Sequence, residues 1–218
     1  MKRRDFLKGG LAAGVTAAFS PLEALAQVGQ ERDYIEYYRD VCDRLDELVD
    51  YRTGEPYEPK GFAIAYFSTP YNAYPGQGCE TDALNIFQSK AMAEMISGEK
   101  IEAIMVLSPL EAGDPEPRFA DGYTNPDPSR GNFYFTGLTG DKDQILSTAQ
   151  NYRSSFDVDR HSGKIVGHNR SAVLISPEGE LLVKYSPSHL GNMDSDIVQH
   201  IQEYKDRTIR AARGCAPD

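Results

Sequence analysis

The stretch "GFAIAYFSTPYNAYPGQGCETDALNIFQSKAMAEMISGEKIEAIMVLS", Gly61–Ser108, decides the fold. Its opening, "GFAIAYFS", is a short and nearly continuous apolar run, the length and pattern of a strand buried on both faces. In "ETDALNIFQSKAMAEMIS" the residues Ala83, Leu84, Phe87, Ala91, Met95 and Ile96 recur at helical spacing and predict the buried stripe of a helix. "IEAIMVLS" is a second buried strand. Strand, helix and strand in this order make a βαβ unit with a parallel strand pair. Cys79 stands at the first strand-to-helix corner, where the partial positive charge of a helix N-terminus favours thiolate. Thiolate attacks disulfides and binds soft metals. Dithiol sites carry a second cysteine at such a corner; here the preceding segment is rich in Tyr, Pro and Gly.

Outward from this unit, "RDYIEYYRDVCDRLDELVDYR" places Tyr34, Ile35, Tyr38, Val41, Cys42, Leu45, Leu48 and Val49 at helical spacing, which predicts an extra N-terminal helix with Cys42 as a small buried hydrophobe on its stripe. "TGEPYEPKG" is a turn-rich connector. Residues 109–131, rich in Pro, Gly and Asp, predict a long loop with room for a turn of helix, and a loop of this length tends to be functional or mobile. "NFYFTGLTG" predicts a strand and turn, "DKDQILSTAQNYRSSF" a helix opened by Asp141, and "SAVLIS", "PEGE", "LLVKYS" a β-hairpin. A last amphipathic helix carries Ile197, Val198, Ile201, Tyr204 and Ile209 on its apolar face, with His189 and His200 expected to be solvated. A βαβ half followed by a ββα half is the thioredoxin-like arrangement, an α/β fold with a central mixed sheet flanked by helices.

The first residues, "MKRRDFLKGGLAAGVTAAFSPLEALAQ", have the form of a signal peptide: basic residues, a mildly apolar run, and Ala24-Leu25-Ala26 as a small-x-small cleavage pattern. Its "RRDFLKG" core resembles a twin-arginine export signal, which carries folded proteins and implies a periplasmic location. The expected organisation is therefore a signal over 1–26, the N-terminal helix and connector over 27–59, the thioredoxin-like domain over 60–210 and a tail over 211–218. Formal net charge is −10, and −12 once residues 1–26 are removed. An acidic surface argues against nucleic acid, whose phosphates need basic partners. No segment after the signal is long and apolar enough to span a membrane. Three cysteines, an odd number, exclude a dense disulfide scaffold. Cys215 lies in the terminal "RGCAPD"; a Cys42–Cys215 disulfide would leave Cys79 as the free thiol.

Several segments together resemble the SCO/SenC family of exported, thioredoxin-fold copper proteins. "KGFAIAYFS" is similar to the family's first strand, which leads to a C-x-x-x-C-P motif. "FTGLTGDKDQILSTAQNYRSSFDV" is similar to its G-L-T-G turn and following helix, and "HNRSAVLISPEGELLVKYS" to its H-x-x-x-x-x-L-I-x-P-x-G hairpin, with His168 nine residues before Pro177. The likeness runs from about Lys60 to Arg207. It implies one copper bound by two cysteines and the hairpin histidine, and a role in assembling the dinuclear copper centre of cytochrome c oxidase, with an oxidase subunit or another periplasmic redox protein as partner. Carried onto this chain, His168 takes the histidine position and Cys79 the second cysteine position, making these two the expected metal ligands. The first cysteine would fall at Pro75 and is absent, no Pro follows Cys79, and the segment before Cys79 is about three residues longer than the family's. The acidic D-P-x-x-D segment is replaced by "SPLEAGDPEP", with Asp114 as its nearest stand-in.

One thiolate and one imidazole are a sparse donor set for copper. Further donors within sequence reach are Tyr71, Asn72, Tyr74, Gln77 and Glu80, with His161 added if its loop folds back. Two other readings stand beside copper delivery. One is a thiol oxidoreductase or peroxidase with Cys79 as its catalytic residue, although the T-x-x-C pattern of peroxidases has Gly76 at its hydroxyl position. The other is a diverged, non-catalytic interaction module.

Overall fold

The strand Phe62–Ser68 is buried along its whole length, and its residues alternate between two cores. Phe62, Ile64 and Tyr66 belong to one core, Ala63, Ala65 and Phe67 to the other. This period of two is what a pleated strand imposes, and it explains why the run reads as continuously apolar. Ile101–Leu107 repeats the pattern, with Ala103 and Met105 on one side and Ile104 and Val106 on the other.

The computed structural model describes residues 34–39, 45–71, 79–125 and 134–212, all within one compact unit, Asp33–Asp218. In chain order the elements are β1 (Tyr34–Arg39), β2 (Val49–Asp50), β3 (Phe62–Ser68), α1 (Cys79–Ser97), β4 (Ile101–Leu107), α2 (Arg118–Thr124), β5 (Thr136–Thr139), α3 (Lys142–Asn151), β6 (Phe156–Val158), β7 (Ile165–His168), β8 (Ala172–Ile175), β9 (Leu181–Tyr185) and α4 (Asp194–Ala212). Seven strands form one mixed sheet in the order β1-β9-β8-β3-β4-β5-β2, and β6 and β7 form a separate hairpin. β3, β4 and β5 run parallel, with Phe62 opposite Ile101 and Ser68 opposite Leu107; β8 pairs with β3 antiparallel, and β9 pairs with β8 antiparallel. Helices α1 and α4 pack together and share one core with Ile64 and Tyr66 through Ile86, Phe87 and Ile197. On the opposite face α3 contributes Ile145 and Ala149. This is the expected thioredoxin-like α/β architecture.

Several local signals work as expected. The Asp141 side chain caps α3 by accepting from the Gln144 N–H at 2.9 Å. Gly98, at φ +72°, ends α1 in the left-handed conformation that glycine adopts without penalty. The long 109–131 segment does hold a short helix, α2.

Three expectations are corrected. The extra N-terminal helix is not what the described residues form: Tyr34–Arg39 is an edge strand, followed by a 3-10 turn at Leu45–Glu47 and the short β2. Tyr and Ile favour strands, and β9 offers an unpaired edge that Tyr34–Arg39 covers in antiparallel register, Tyr34 opposite Tyr185. An edge that must be hydrogen-bonded outweighs a helical period that aromatic residues can mimic. Segment 27–59 therefore supplies both outer strands of the sheet. Residues 40–44, with Cys42, lie outside the described residues, as do residues 72–78 and the tail with Cys215.

The stripe of α1 is also rotated from its expected position. Cys79, Asp82, Ala83, Ile86, Phe87 and Ala93 are buried, whereas Leu84, Met95 and Ile96 are 58%, 70% and 56% exposed. Apolar residues occur all round this helix, so periodicity alone does not choose a face. Finally, His200 is fully buried beside the Tyr34 ring, and His189 is half-buried against Asp196. The sheet's β1–β9 edge and α4 close over them, which a solvated reading of α4 did not foresee.

Candidate metal centre

The first residue of α1 is Cys79, so the sulfur sits at the helix N-terminus, buried against β3. Residues three and four apart share a helix face, which places Asp82 and Ala83 beside Cys79 on the inward side. Tyr66 is on the face of β3 that α1 covers, and its hydroxyl reaches this first turn. His168 comes from the far end of the fold in sequence, as the last residue of β7 opposite Phe156 of β6.

These elements bring Cys79 Sγ to 3.7 Å from His168 Nε2, across 89 residues of chain. The Tyr66 hydroxyl lies 3.2 Å from the same Nε2 and donates to Asp82 Oδ2 at 3.1 Å. The rings of Tyr66 and His168 meet edge to face, 5.7 Å apart. Arg170, two residues after His168, grips Asp82 with both ends of its guanidinium, Nε to Oδ2 at 2.7 Å and Nη2 to Oδ1 at 2.8 Å. This bidentate pair ties the loop after β7 to the first turn of α1, and so fixes the approach of His168 to Cys79. His168 Nδ1 is buried and has no hydrogen-bond partner among the described residues.

The hairpin carrying His168 is held by a second set of contacts. The Tyr71 hydroxyl donates to the Ile165 carbonyl at 3.0 Å. Lys164 bonds the Ala112 carbonyl at 2.6 Å and Asp114 Oδ1 at 3.4 Å, and Lys142 bonds Glu111 and the Gly163 carbonyl. Part of the long loop is thus a brace for the hairpin.

Burial governs the protonation of the corner. It pushes the Cys79 thiol up, with the Tyr66 hydrogen bond acting against it, the Asp82 charge adding to it and Arg170 opposing. Burial also pulls His168 down to about 4, so the imidazole is neutral near pH 7. The Tyr66 phenol is pushed up chiefly by burial, then by the neighbouring Cys79 and Asp82, and stays protonated. A helix N-terminus favours thiolate at an exposed corner; here the desolvation of a buried sulfur outweighs it.

Of the residues considered from sequence, Cys79 and His168 meet. Tyr71 and Asp114 are committed to the hairpin brace. His161 lies exposed in the turn joining β6 and β7, at the opposite end of that hairpin from His168. Glu80 points to solvent. Asn72, Tyr74, Pro75, Gly76 and Gln77 fall outside the described residues. Among the described residues no group of three or more His, Cys, Asp or Glu side chains could hold a metal ion together. Tyr66, Asp82 and Arg170 were missed by sequence reasoning. Tyr66 is a hydroxyl inside an otherwise apolar strand, and Asp82 an acid three residues after Cys79 on an inward face; both are readable signals.

A strand that delivers its C-terminal end to a helix opening on a buried cysteine, inside a mixed sheet covered on both faces, defines a thioredoxin-like protein. Within that class, residues 131–206 match the SCO1/SenC family model. Solved structures with the same fold include Arabidopsis thaliana ScoI with copper bound (18% identity, TM-score 0.54, covering 72% of this chain and 96% of that one). Yeast Sco1 with copper bound follows at 20% identity and TM-score 0.52, covering 75% and 90%. A SCO1/SenC family lipoprotein from Bacillus anthracis matches at 18% identity and TM-score 0.54, covering 79% and 97%. No curated protein matches the chain by sequence. Residues 1–20 match the twin-arginine signal model, which implies export by that pathway. Among the described residues no helix is long and apolar enough to cross a membrane.

Proposed function

We propose that this exported chain is a SCO1/SenC-family protein that binds and delivers copper, with Cys79 and His168 as its metal ligands. The observation that carries the reading is the 3.7 Å separation of Cys79 Sγ and His168 Nε2, contributed by opposite ends of the domain. A first-row ion bonds thiolate sulfur at ~2.3 Å and imidazole nitrogen at ~2.0 Å, so one ion spans up to ~4.3 Å and touches both donors as they stand. The donor chemistry fits as well: thiolate is soft, imidazole suits copper, and His168 is already neutral. Tyr66 stays a phenol at this site, its hydroxyl donating to Asp82 beside the two ligands. Copper is cargo here, so an exposed redox nucleophile is unnecessary. The buried thiol with its raised pKa is the opposite of what a thiol oxidoreductase or peroxidase requires. The setting the family implies is accessory assembly of the dinuclear copper centre of cytochrome c oxidase, with an oxidase subunit or another exported redox protein receiving the metal.

Anaerobic titration of the mature protein with Cu(I) against a chromogenic chelator tests this. About one equivalent should bind, with proton release as the thiol ionises, and Cys79→Ala or His168→Ala should abolish uptake. Uptake indifferent to both changes would remove the site.

A further inference from the structure

Resting on that copper reading, we propose that Asp82 is a positioning residue that acts through Tyr66: it holds His168 as the Nε2–H tautomer, so the nitrogen facing Cys79 stays capped by a proton until a metal takes its place. In a neutral imidazole one ring nitrogen carries the proton and the other a lone pair. Which is which follows from the partners of each. The Tyr66 hydroxyl has a single proton, and it goes to Asp82 Oδ2 at 3.1 Å. Asp82 returns none, because Arg170 donates to both of its oxygens, at 2.7 and 2.8 Å. The phenol oxygen therefore offers only lone pairs to His168 Nε2, 3.2 Å away. That contact is a hydrogen bond if Nε2 carries the proton, and a meeting of two lone pairs if it does not.

The other ring nitrogen gives the same answer independently. Nδ1 is buried and has no hydrogen-bond partner among the described residues. A proton there is a buried N–H without an acceptor, and such orphan donors are rare in folded proteins. The opposing influence is the Cys79 thiol, which can donate to a bare Nε2 from 3.7 Å, but S–H is a weak donor. Metal-ligating histidines ordinarily donate their second N–H to a carboxylate or carbonyl, which raises affinity. His168 lacks such an acceptor among the described residues, so ligation through Nε2 moves the proton to the nitrogen less able to hold it. The ring stays neutral in that exchange, one proton leaving Nε2 and one arriving at Nδ1, and the net release on loading is the thiol proton alone. A site that resists its own loaded tautomer suits a protein that gives its metal up.

The test is a long-range proton–nitrogen correlation spectrum of the mature, reduced, isotope-labelled protein at pH 7, in which the protonated and bare nitrogens of each neutral imidazole separate; His168→Leu assigns the ring. Wild type should show the Nε2–H form in about tenfold excess or more. Asp82→Ala frees the phenol proton to turn toward Nε2. Tyr66→Phe keeps the buried ring and removes the acceptor, and it carries the test if Asp82→Ala fails to fold. Each should raise Nδ1–H relative to Nε2–H by about tenfold. Loss of a purely structural contact lowers stability and leaves this ratio alone. Wild type found as the Nδ1–H form overturns the inference, and so does a ratio that either folded variant leaves unmoved. Loading wild type with Cu(I), a closed-shell ion that keeps the spectrum readable, should convert the ring to Nδ1–H. A ring still protonated at Nε2 with copper bound overturns the cap. Failure of Cys79-dependent Cu(I) uptake overturns the copper reading alone, because the tautomer of the metal-free protein is read without it.

Discussion

The half of the domain that delivers His168 and the half that delivers Cys79 hold their residues in place by different means. His168 belongs to residues 131–206, which match the SCO1/SenC model by sequence. Its hairpin is fastened by side chains that reach across the surface: Lys164 to Asp114, Lys142 to Glu111, Tyr71 to the Ile165 carbonyl. Cys79 is set by the core itself, through seven buried residues of β3 in parallel register with β4 and through the inward turn of α1. The segment before Cys79 departs from the C-x-x-x-C-P pattern, yet the sulfur still arrives 3.7 Å from the imidazole. A packed strand and a helix start place a side chain without regard to the sequence of the connecting segment, whereas a surface hairpin has to be tied down bond by bond.

Cutting the tie between the halves should have the largest effect. Asp82→Ala leaves Arg170 without its partner and the Tyr66 hydroxyl without its acceptor at a position only 2% exposed. Breaking a buried pair costs about 3–5 kcal/mol. Arg170 is 39% exposed and regains water, so the low end, roughly 3 kcal/mol, is expected from urea denaturation at pH 7. A loss below about 0.5 kcal/mol, the scale of an ordinary surface change, would mean the halves are joined by packing alone.

Acid acts next, through His168. Its folded-state pKa is about 4, against 6.5 for the free side chain, because burial disfavours the charged ring. Between those values the unfolded chain binds the extra proton, so stability rises with pH. The full contribution is present above pH 6.5 and is lost as pH falls toward 4, approaching about 3 kcal/mol. Denaturation of wild type and His168→Leu at pH 7 and pH 4.5 isolates this contribution. Equal pH slopes in the two proteins would show that the hairpin opens and hydrates the ring before it titrates.

The same contrast explains what the sequence made legible. Buried strands announce themselves as continuous apolar runs, and "GFAIAYFS" and "IEAIMVLS" became β3 and β4. The Asp141 cap and the β8–β9 hairpin carry local signals and were equally plain. Tyr34–Arg39 was misread because Tyr and Ile satisfy a helical period and a strand period alike, and the deciding factor, the open edge of β9, is a tertiary fact. The stripe of α1 was misplaced for a related reason: Leu84, Met95 and Ile96 are as apolar as Ile86 and Phe87, and only the sheet selects a face. Cys79 was legible from its corner, but its pairing with His168 came from family resemblance, since nothing local links residues 89 apart. Tyr66, Asp82 and Arg170 went unseen because a hydroxyl, an acid and a base in separate segments acquire meaning only when the fold collects them.

The smallest effects separate the two sides of α1. Tyr66→Phe keeps the buried ring and removes its hydroxyl, together with the bonds to Asp82 and His168 and the one that lowers the Cys79 pKa. A net hydrogen bond is worth about 1 kcal/mol, so stability should fall by roughly that amount. The Cys79 thiol should shift further up, which the pH dependence of its reaction with a disulfide probe measures. On the outward side, Met95→Lys sits at a residue 70% exposed and should change stability by less than about 0.5 kcal/mol, with thiol reactivity and Cu(I) uptake unmoved. If Met95→Lys instead destabilises the protein as much as Tyr66→Phe does, the outward face of α1 is covered in solution, and the helix is packed on both sides.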